Sequence, residues 1–270
     1  MNEAHPFDAG LAFERRGDGV LVGRTHPAWR NFIGPFGGLT AAQALQGVLA
    51  HPQRLGDPVS LTVNFAAALA EGEFEVEAVP ARTNRSTQHW TITVRQSGEA
   101  VATATAITAV RRGTWSLTEA VMPEGPRPAD VPLPVMPARV EWVKRYEMRF
   151  IEGAVAGDWN GGDTGQSVTR LWVRDNPPRP LDFASLTAMS DVFFPRIWLR
   201  RATFVPLGTI TMTVYFHARE AQLRETGSGY LLGQVRGQGF RDGYFDHTAQ
   251  LWNEAGVLLV STHQLFYFKE

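Results

Sequence analysis

Ser60-Leu-Thr-Val-Asn-Phe65 is echoed downstream by Thr211-Met-Thr-Val-Tyr-Phe216, and this pair of stretches decides how the chain is read. Working outward, Leu39-Thr40-Ala41 matches Leu186-Thr187-Ala188, and Gly98-Glu-Ala-Val-Ala-Thr103 matches Gly256-Val-Leu-Leu-Val-Ser261. The offsets are 151, 147 and 158, a slow drift of the kind small loop insertions produce. Laid over each other, the halves differ at positions where chemistry could sit. Asp191 falls opposite Ala44, Thr209 opposite Pro58, and Gln264 opposite Ala106. A duplicated fold with one functional site is the simplest reading.

The bulk properties agree. At 270 residues the chain suits two fused units of roughly 110–130 residues each. Hydrophobic content of 44% with 20% charged residues describes a globular protein. A net charge of −1, without long runs of one sign, gives no reason to expect nucleic acid or an anionic membrane as partner. The absence of cysteine excludes thiol nucleophiles, disulfides and cysteine-ligated metals, and accords with a cytoplasmic protein. Met1-Asn-Glu-Ala-His-Pro-Phe-Asp8 lacks the basic start and apolar run of a signal peptide, and no stretch reaches the roughly 18 apolar residues of a membrane helix.

Prolines at 123, 126, 128, 132, 134 and 137 remove backbone donors, so this segment reads as an extended linker. The expected organisation is an N-terminal unit over 1–112, a proline-rich linker over 113–139 and a C-terminal unit over 140–270. Each unit has one strong helix candidate. Gly37-Gly38 opens the first, which runs through Leu49 and stops before Pro52; Asp182 caps the second, predicted from Phe183 to about Ile197. In that second helix Leu186, Met189, Ser190, Phe193 and Ile197 form the packing stripe, and Asp191 lies on its flank. Alternating, β-rich segments follow each helix, near 59–66, 73–82, 87–97 and 100–110, then near 209–217, 228–238, 244–253 and 257–268. Further strands are expected within 11–24 and 143–174. One helix followed by an antiparallel meander, twice over, is an α+β pattern. It fits a double hot dog: two tandem antiparallel sheets, each wrapped around a central helix, packed sheet beside sheet with the helices facing one another.

On Ser190-Asp191, on Thr209-Ile-Thr-Met-Thr-Val-Tyr-Phe-His217 and on Gly256-Val-Leu-Leu-Val-Ser-Thr-His-Gln264, the chain resembles the type II acyl-CoA thioesterases. The resemblance implies hydrolysis of acyl-CoA to free acid and CoA, with Asp191, Thr209 and Gln264 holding and activating the attacking water. It implies no metal and no organic cofactor, CoA entering only as part of the substrate. It departs from the family where the first strand ends in Phe65-Ala-Ala-Ala68, without the usual Phe-x-Arg-Pro turn.

The residues support this chemistry independently. Thioester hydrolysis needs an aimed, partly deprotonated water and a donor for the oxyanion. A carboxylate on a buried helix can take the proton, and a hydroxyl and an amide can fix the water. Gly37 and Gly38, at a helix start, are candidate oxyanion donors if that start faces Asp191. Gln264 shares its strand face with Leu258, Val260, Phe266 and Phe268, where an amide must find a partner. Plain alternation instead groups Thr209 with Thr211, Thr213 and Tyr215, so a bulge is needed to turn it inward.

Competing readings are a hot-dog enoyl-CoA hydratase or dehydratase and a non-catalytic acyl-CoA-binding protein. Asp242-Gly-Tyr-Phe-Asp-His247 is the hydratase-like feature, but it reads as a turn with Asp246 and His247 on a strand surface. No Gly-x-Ser-x-Gly occurs, the histidines show no ligand spacing, and Gly227-Ser228-Gly229 reads as a hairpin turn. Phe193, Phe194 and Trp198 suggest an aromatic-lined acyl tunnel, and open sheet edges invite homo-oligomers.

Overall fold

The two echoed segments lie side by side. In a computed structural model describing residues 4–17, 19–134, 140–155 and 159–270, β3 (Asp57–Phe65) pairs antiparallel with β9 (Leu207–Phe216). Ser60 faces Tyr215, Thr62 faces Thr213 and Asn64 faces Thr211. Because the repeat equates Thr62 with Thr213, a local twofold passes between them, and their hydroxyls meet at 3.1 Å. The start of the N-terminal stretch (1–3), residue 18 of the 11–24 region, residues 156–158 of the 143–174 region and the linker's last residues, 135–139 with Pro137, lie outside the described residues.

Around this seam each repeat adds five further strands. The first contributes β1 (Phe13–Arg15), β2 (Val20–Arg24), β4 (Glu73–Thr83), β5 (Thr87–Gln96) and β6 (Glu99–Ala109). The second contributes β7 (Tyr146–Glu152), β8 (Thr169–Asp175), β10 (Leu231–Arg241), β11 (Tyr244–Asn253) and β12 (Leu258–Phe268). The order β1-β2-β4-β5-β6-β3-β9-β12-β11-β10-β8-β7 reads the same topology outward from either side of the seam. The tandem sheets expected from the sequence are therefore joined into one 12-stranded sheet, which removes two open edges at the centre. Ser97-Gly98 and Asp242-Gly243 turn two of the hairpins with positive φ at both residues, the geometry that matches strand twist.

The sheet wraps the double hot dog's two main helices. α2 (Gly37–Leu49), which follows the short N-terminal α1 (Pro6–Gly10), is rich in Ala and Gly and is buried nearly all round. Its small side chains allow close approach by α3 (Phe183–Met189), capped by Asp182 accepting from the Ser185 N–H at 2.7 Å.

The second helix is shorter than expected. It stops at Met189 instead of continuing to Ile197, because in a longer helix the ring of Pro195 would collide with the Asp191 carbonyl. Thr187 and Ser190 also turn their hydroxyls back onto the carbonyls of Phe183 and Leu186, at 2.7 and 2.8 Å. Phe193 therefore packs from a connecting segment, and Ile197 opens a separate turn, α4 (Ile197–Arg200). Gly227-Ser228-Gly229 is likewise no hairpin; it joins an unforeseen helix, α5 (Glu220–Thr226), to β10. Residues 110–127 carry neither helix nor strand and lie over the second repeat, where Trp172 and Arg170 donate to the carbonyls of Pro126 and Glu124. Among the described residues, no helix is long and apolar enough to cross a membrane.

Candidate active site

Ending α3 early is what positions Asp191. The residue follows Ser190, the helix's C-cap, and the break leaves the Ser190 carbonyl without an intrahelical partner. Gln264, on β12 and 1% exposed, donates to that carbonyl from Nε2 at 3.3 Å and also reaches the Asp191 carboxylate. From the other repeat comes the start of α2. Its N-cap, Phe36, has no side chain able to accept, so the first N–H groups of α2 lack a cap of their own. The Gly38 N–H is directed to the Asp191 carboxylate instead. Asp191 Oδ2 lies only 3.0 Å from where a Cβ on Gly37 would stand. Among the described residues, no hydrogen bond takes the Gly37 N–H.

The local twofold shows how one-sided this is. The counterpart of Gly38 is Ser185, whose N–H is taken by Asp182 of its own segment. The counterpart of Asp191 is Ala44, fully buried. In the sheet, Gln264 stands between Met212 and His247, where its counterpart Ala106 stands between Leu61 and Trp90. One of two symmetric places is polar, and the other is packed with apolar side chains.

Burial raises the Asp191 carboxyl to about 7, overriding hydrogen bonds from Gln264 and the Gly38 N–H that favour the charged form. A carboxylate at that value exchanges protons near neutrality, as a general base must.

Thr209 reaches the inward face through a bulge. Leu265 faces Thr211 and Phe266 faces Thr209, so Ile210 is the extra residue and the alternation of β9 reverses across it. Thr209 thus shares a face with Phe266 and, one pair further on, Gln264, and remains half-buried. The same irregularity recurs in the first repeat between Pro58 and Ser60. Among the described residues, no hydrogen bond joins Thr209 to Asp191 or Gln264, so the structure assembles Asp191, Gln264 and the α2 start directly and sets Thr209 beside them.

Two features escaped the sequence reading. His247 is not on a strand surface: it is 0% exposed, directly opposite Gln264, while Asp246 points the other way and accepts from His263 Nε2 at 2.8 Å. Alternation along β11 carries the signal, since Phe245, His247, Ala249 and Leu251 share the buried face. The pair Asp242 and His247 is split, with Asp242 in the hairpin turn. The second feature is Asp175, buried on β8 opposite Tyr146, with its carboxyl raised to about 7 chiefly by burial.

Beyond His247 lies an aromatic wall. Phe245 and Phe266 stack at 4.7 Å in a cluster with Ile197 and Trp198, and Phe194, Phe240 and Phe268 pack against it. The cluster's outer end, at Ile197, Phe240 and Phe268, lines a surface cleft of about 460 Å³ together with Arg200, Arg201 and Arg241.

The duplicated hot-dog chain thus carries a protonatable carboxylate, Asp191, where its two repeats meet, and comparison with known proteins assigns the class. The N-terminal acyl-CoA thioesterase domain model matches residues 25–109, and the C-terminal acyl-CoA thioesterase domain model matches residues 118–268. This chain belongs to the acyl-CoA thioesterase family. Among solved structures, a conserved hot-dog protein of unknown function from Alicyclobacillus acidocaldarius is 46% identical, with TM-score 0.94 over 99% of both chains. The tesB protein of Mycobacterium avium subsp. paratuberculosis shares the fold at 21% identity and TM-score 0.79, over 99% of this chain and 100% of that one. The acyl-CoA thioesterase II TesB2 of Mycobacterium marinum does so at 17% identity and TM-score 0.77, over 97% and 98%. No curated protein matches the chain.

Proposed function

We propose that the chain hydrolyses acyl-CoA with Asp191 as general base. The observation that carries this is a carboxylate raised to about 7 and held between Gln264 and the uncapped start of α2, where the two repeats meet. Ionised Asp191 removes a proton from water as the oxygen attacks the thioester carbonyl carbon. The Gln264 Oε1, which has no partner among the described residues, accepts from that water, and the Thr209 hydroxyl completes its positioning. The carbonyl π pair moves onto oxygen, where the Gly37 N–H and the dipole of α2 meet the negative charge. Gly38 serves the base. Collapse of the intermediate breaks the C–S bond, and the proton held by Asp191 goes to the CoA sulfur. The products are a carboxylic acid and CoA, with no metal or organic cofactor required.

The acyl chain runs along the aromatic wall of Phe266 and Phe245. Copies of the chain associate through the outer sheet face, where Tyr215, Tyr244, Leu265 and Tyr267 are exposed; light scattering checks this. The test of function is thiol release from acyl-CoAs ranging from short to long and including an aromatic one, with Asp191→Ala alongside. Release by the wild type that collapses in the variant supports the reading. Near wild-type turnover by Asp191→Ala would sink it, and CoA-ester binding without any release would favour a non-catalytic binder.

A further inference from the structure

His247 has no role in that chemistry, yet it is the least satisfied polar side chain near the site. It is 0% exposed, and among the described residues neither Nδ1 nor Nε2 has a hydrogen-bond partner. It occupies the position held in the first repeat by Trp90, whose indole donates to Thr108 at 3.1 Å and needs nothing more. Its nearest described ring neighbours are Phe266 at 4.9 Å and Phe193 at 6.5 Å, neither of which can accept or donate conventionally. An imidazole walled by aromatics, with both nitrogens unmet, forfeits the hydrogen bonds it would make to water and destabilises the fold unless something else supplies them. A fold with Trp90 at the twin position has an apolar solution available, so the polar one points to a ligand.

The ring's electrical state narrows that ligand. Burial holds its pKa well below the ordinary value, and the nearby charges of Arg196 and His263 act in the same direction. His247 is therefore neutral, offering one N–H and one lone pair. It cannot attract an anion by charge. Arg196 does not supply that attraction either, since its guanidinium is occupied by the carbonyls of Phe194 and Ser167 and the hydroxyl of Thr169. What suits the ring is a neutral group that donates, accepts or does both.

Position supplies the distance. His247 and Gln264 are directly opposed on neighbouring strands, which sets their Cβ atoms about 5 Å apart. With the thioester carbon at Gln264, the imidazole meets substituents about two to four bonds along the acyl chain.

We propose that the preferred acyl group carries a hydroxyl or carbonyl on its second to fourth carbon and that His247 is the residue that selects it. This rests on the reading of Asp191 and Gln264 as the hydrolytic centre. The distinguishing experiment measures kcat/KM for butyryl-CoA, for 2-, 3- and 4-hydroxybutyryl-CoA and for 3-oxobutyryl-CoA. The proteins are the wild type, His247→Phe and His247→Gln. At least one substituted substrate is expected to exceed butyryl-CoA by about tenfold to a hundredfold in the wild type. His247→Phe is expected to bring that ratio to about one or below while still hydrolysing butyryl-CoA, and His247→Gln to restore part of it. Each ratio is taken within one preparation, so a change in the folded fraction cancels. A wild type that hydrolyses butyryl-CoA as well as every substituted partner, with ratios unmoved in His247→Phe, would overturn the proposal and assign the ring to a trapped water. Failure on these esters by a wild type that still hydrolyses longer or aromatic acyl-CoAs would overturn this inference alone; failure on every acyl-CoA would sink the hydrolytic reading and this inference with it.

Discussion

Replacing Asp191 with Asn separates the two consequences of burying that carboxylate. Its pKa rises from 3.8 to about 7 because burial outweighs the hydrogen bonds from Gln264 and Gly38. A folded-state pKa above the unfolded one means that the native state holds the proton more tightly. Stability is therefore greatest below the unfolded value, falls as pH rises from about 4 to 7, and is flat beyond. At about 1.4 kcal/mol per pKa unit, ionised Asp191 costs the fold about 4 kcal/mol at pH 8. Asn escapes that cost, so Asp191→Asn should melt on the order of 10 °C above the wild type at pH 8 and close to it at pH 4. Activity runs the other way. Wild-type kcat/KM should climb through pH 7 and level off, and the variant should lose about 10²- to 10⁴-fold on the plateau. Loss of thioester absorbance follows the reaction without a pH-sensitive thiol reagent, and thermal melts at both pH values give the stability arm. A variant with more than a tenth of wild-type kcat, or one no more stable than the wild type at pH 8, would refute the reasoning.

Gln264→Ala should lower kcat by about tenfold to a hundredfold and shift the wild-type pH midpoint upward, because it removes a bond that favours ionised Asp191; a pH–rate profile measures both. Gly37→Ala places a methyl group 3.0 Å from Asp191 Oδ2 and should depress kcat with little change in melting temperature, read by paired kinetics and melts. Thr209→Val should reduce kcat by about tenfold while leaving KM near wild type, since the hydroxyl is assigned to the water and not to the substrate. Asp175→Asn should stabilise the fold by up to about 4 kcal/mol at pH 8 but not at pH 4, for the same signed reason as Asp191, as thermal melts at the two pH values read; unlike Asp191→Asn it should leave kcat unchanged.

Much of the fold was legible because local rules and the repeat agree. Alternation over 244–253 and 257–268 gave strands whose ends fall within a residue of β11 and β12, and Asp242-Gly243 marked the turn between β10 and β11. The length of the second helix was misread because the apolar stripe was followed through Pro195, whose clash lies four residues upstream at Asp191. α5 went unseen because it is short and buries only Leu223, leaving too weak a periodicity. The sheets were expected side by side from the duplication, but which strands join them, β3 and β9, is a non-local pairing that neither propensity nor alternation encodes. At the site, Asp191 and Gln264 stood out by contrast with Ala44 and Ala106. Thr209 needed a bulge, and the register supplies it at Ile210. His247 was misplaced because Asp246 and His247 were both read onto the strand surface, although alternation with Phe245, Ala249 and Leu251 turns only His247 inward.

The pairing of Thr62 with Thr213 across the local twofold has a consequence for how such a chain can change. In a dimer of identical subunits every substitution appears twice, so a buried carboxylate that helps one site burdens its mirror image as well. Covalent fusion lifts that obligation. The place of Ala44, Ala106 and Trp90 can be tuned for cohesion alone, while the place of Asp191, Gln264 and His247 tolerates unmet polar atoms and a carboxyl that resists ionisation. One half can thus become sturdier while the other grows more specialised, each by single mutations that the other never feels.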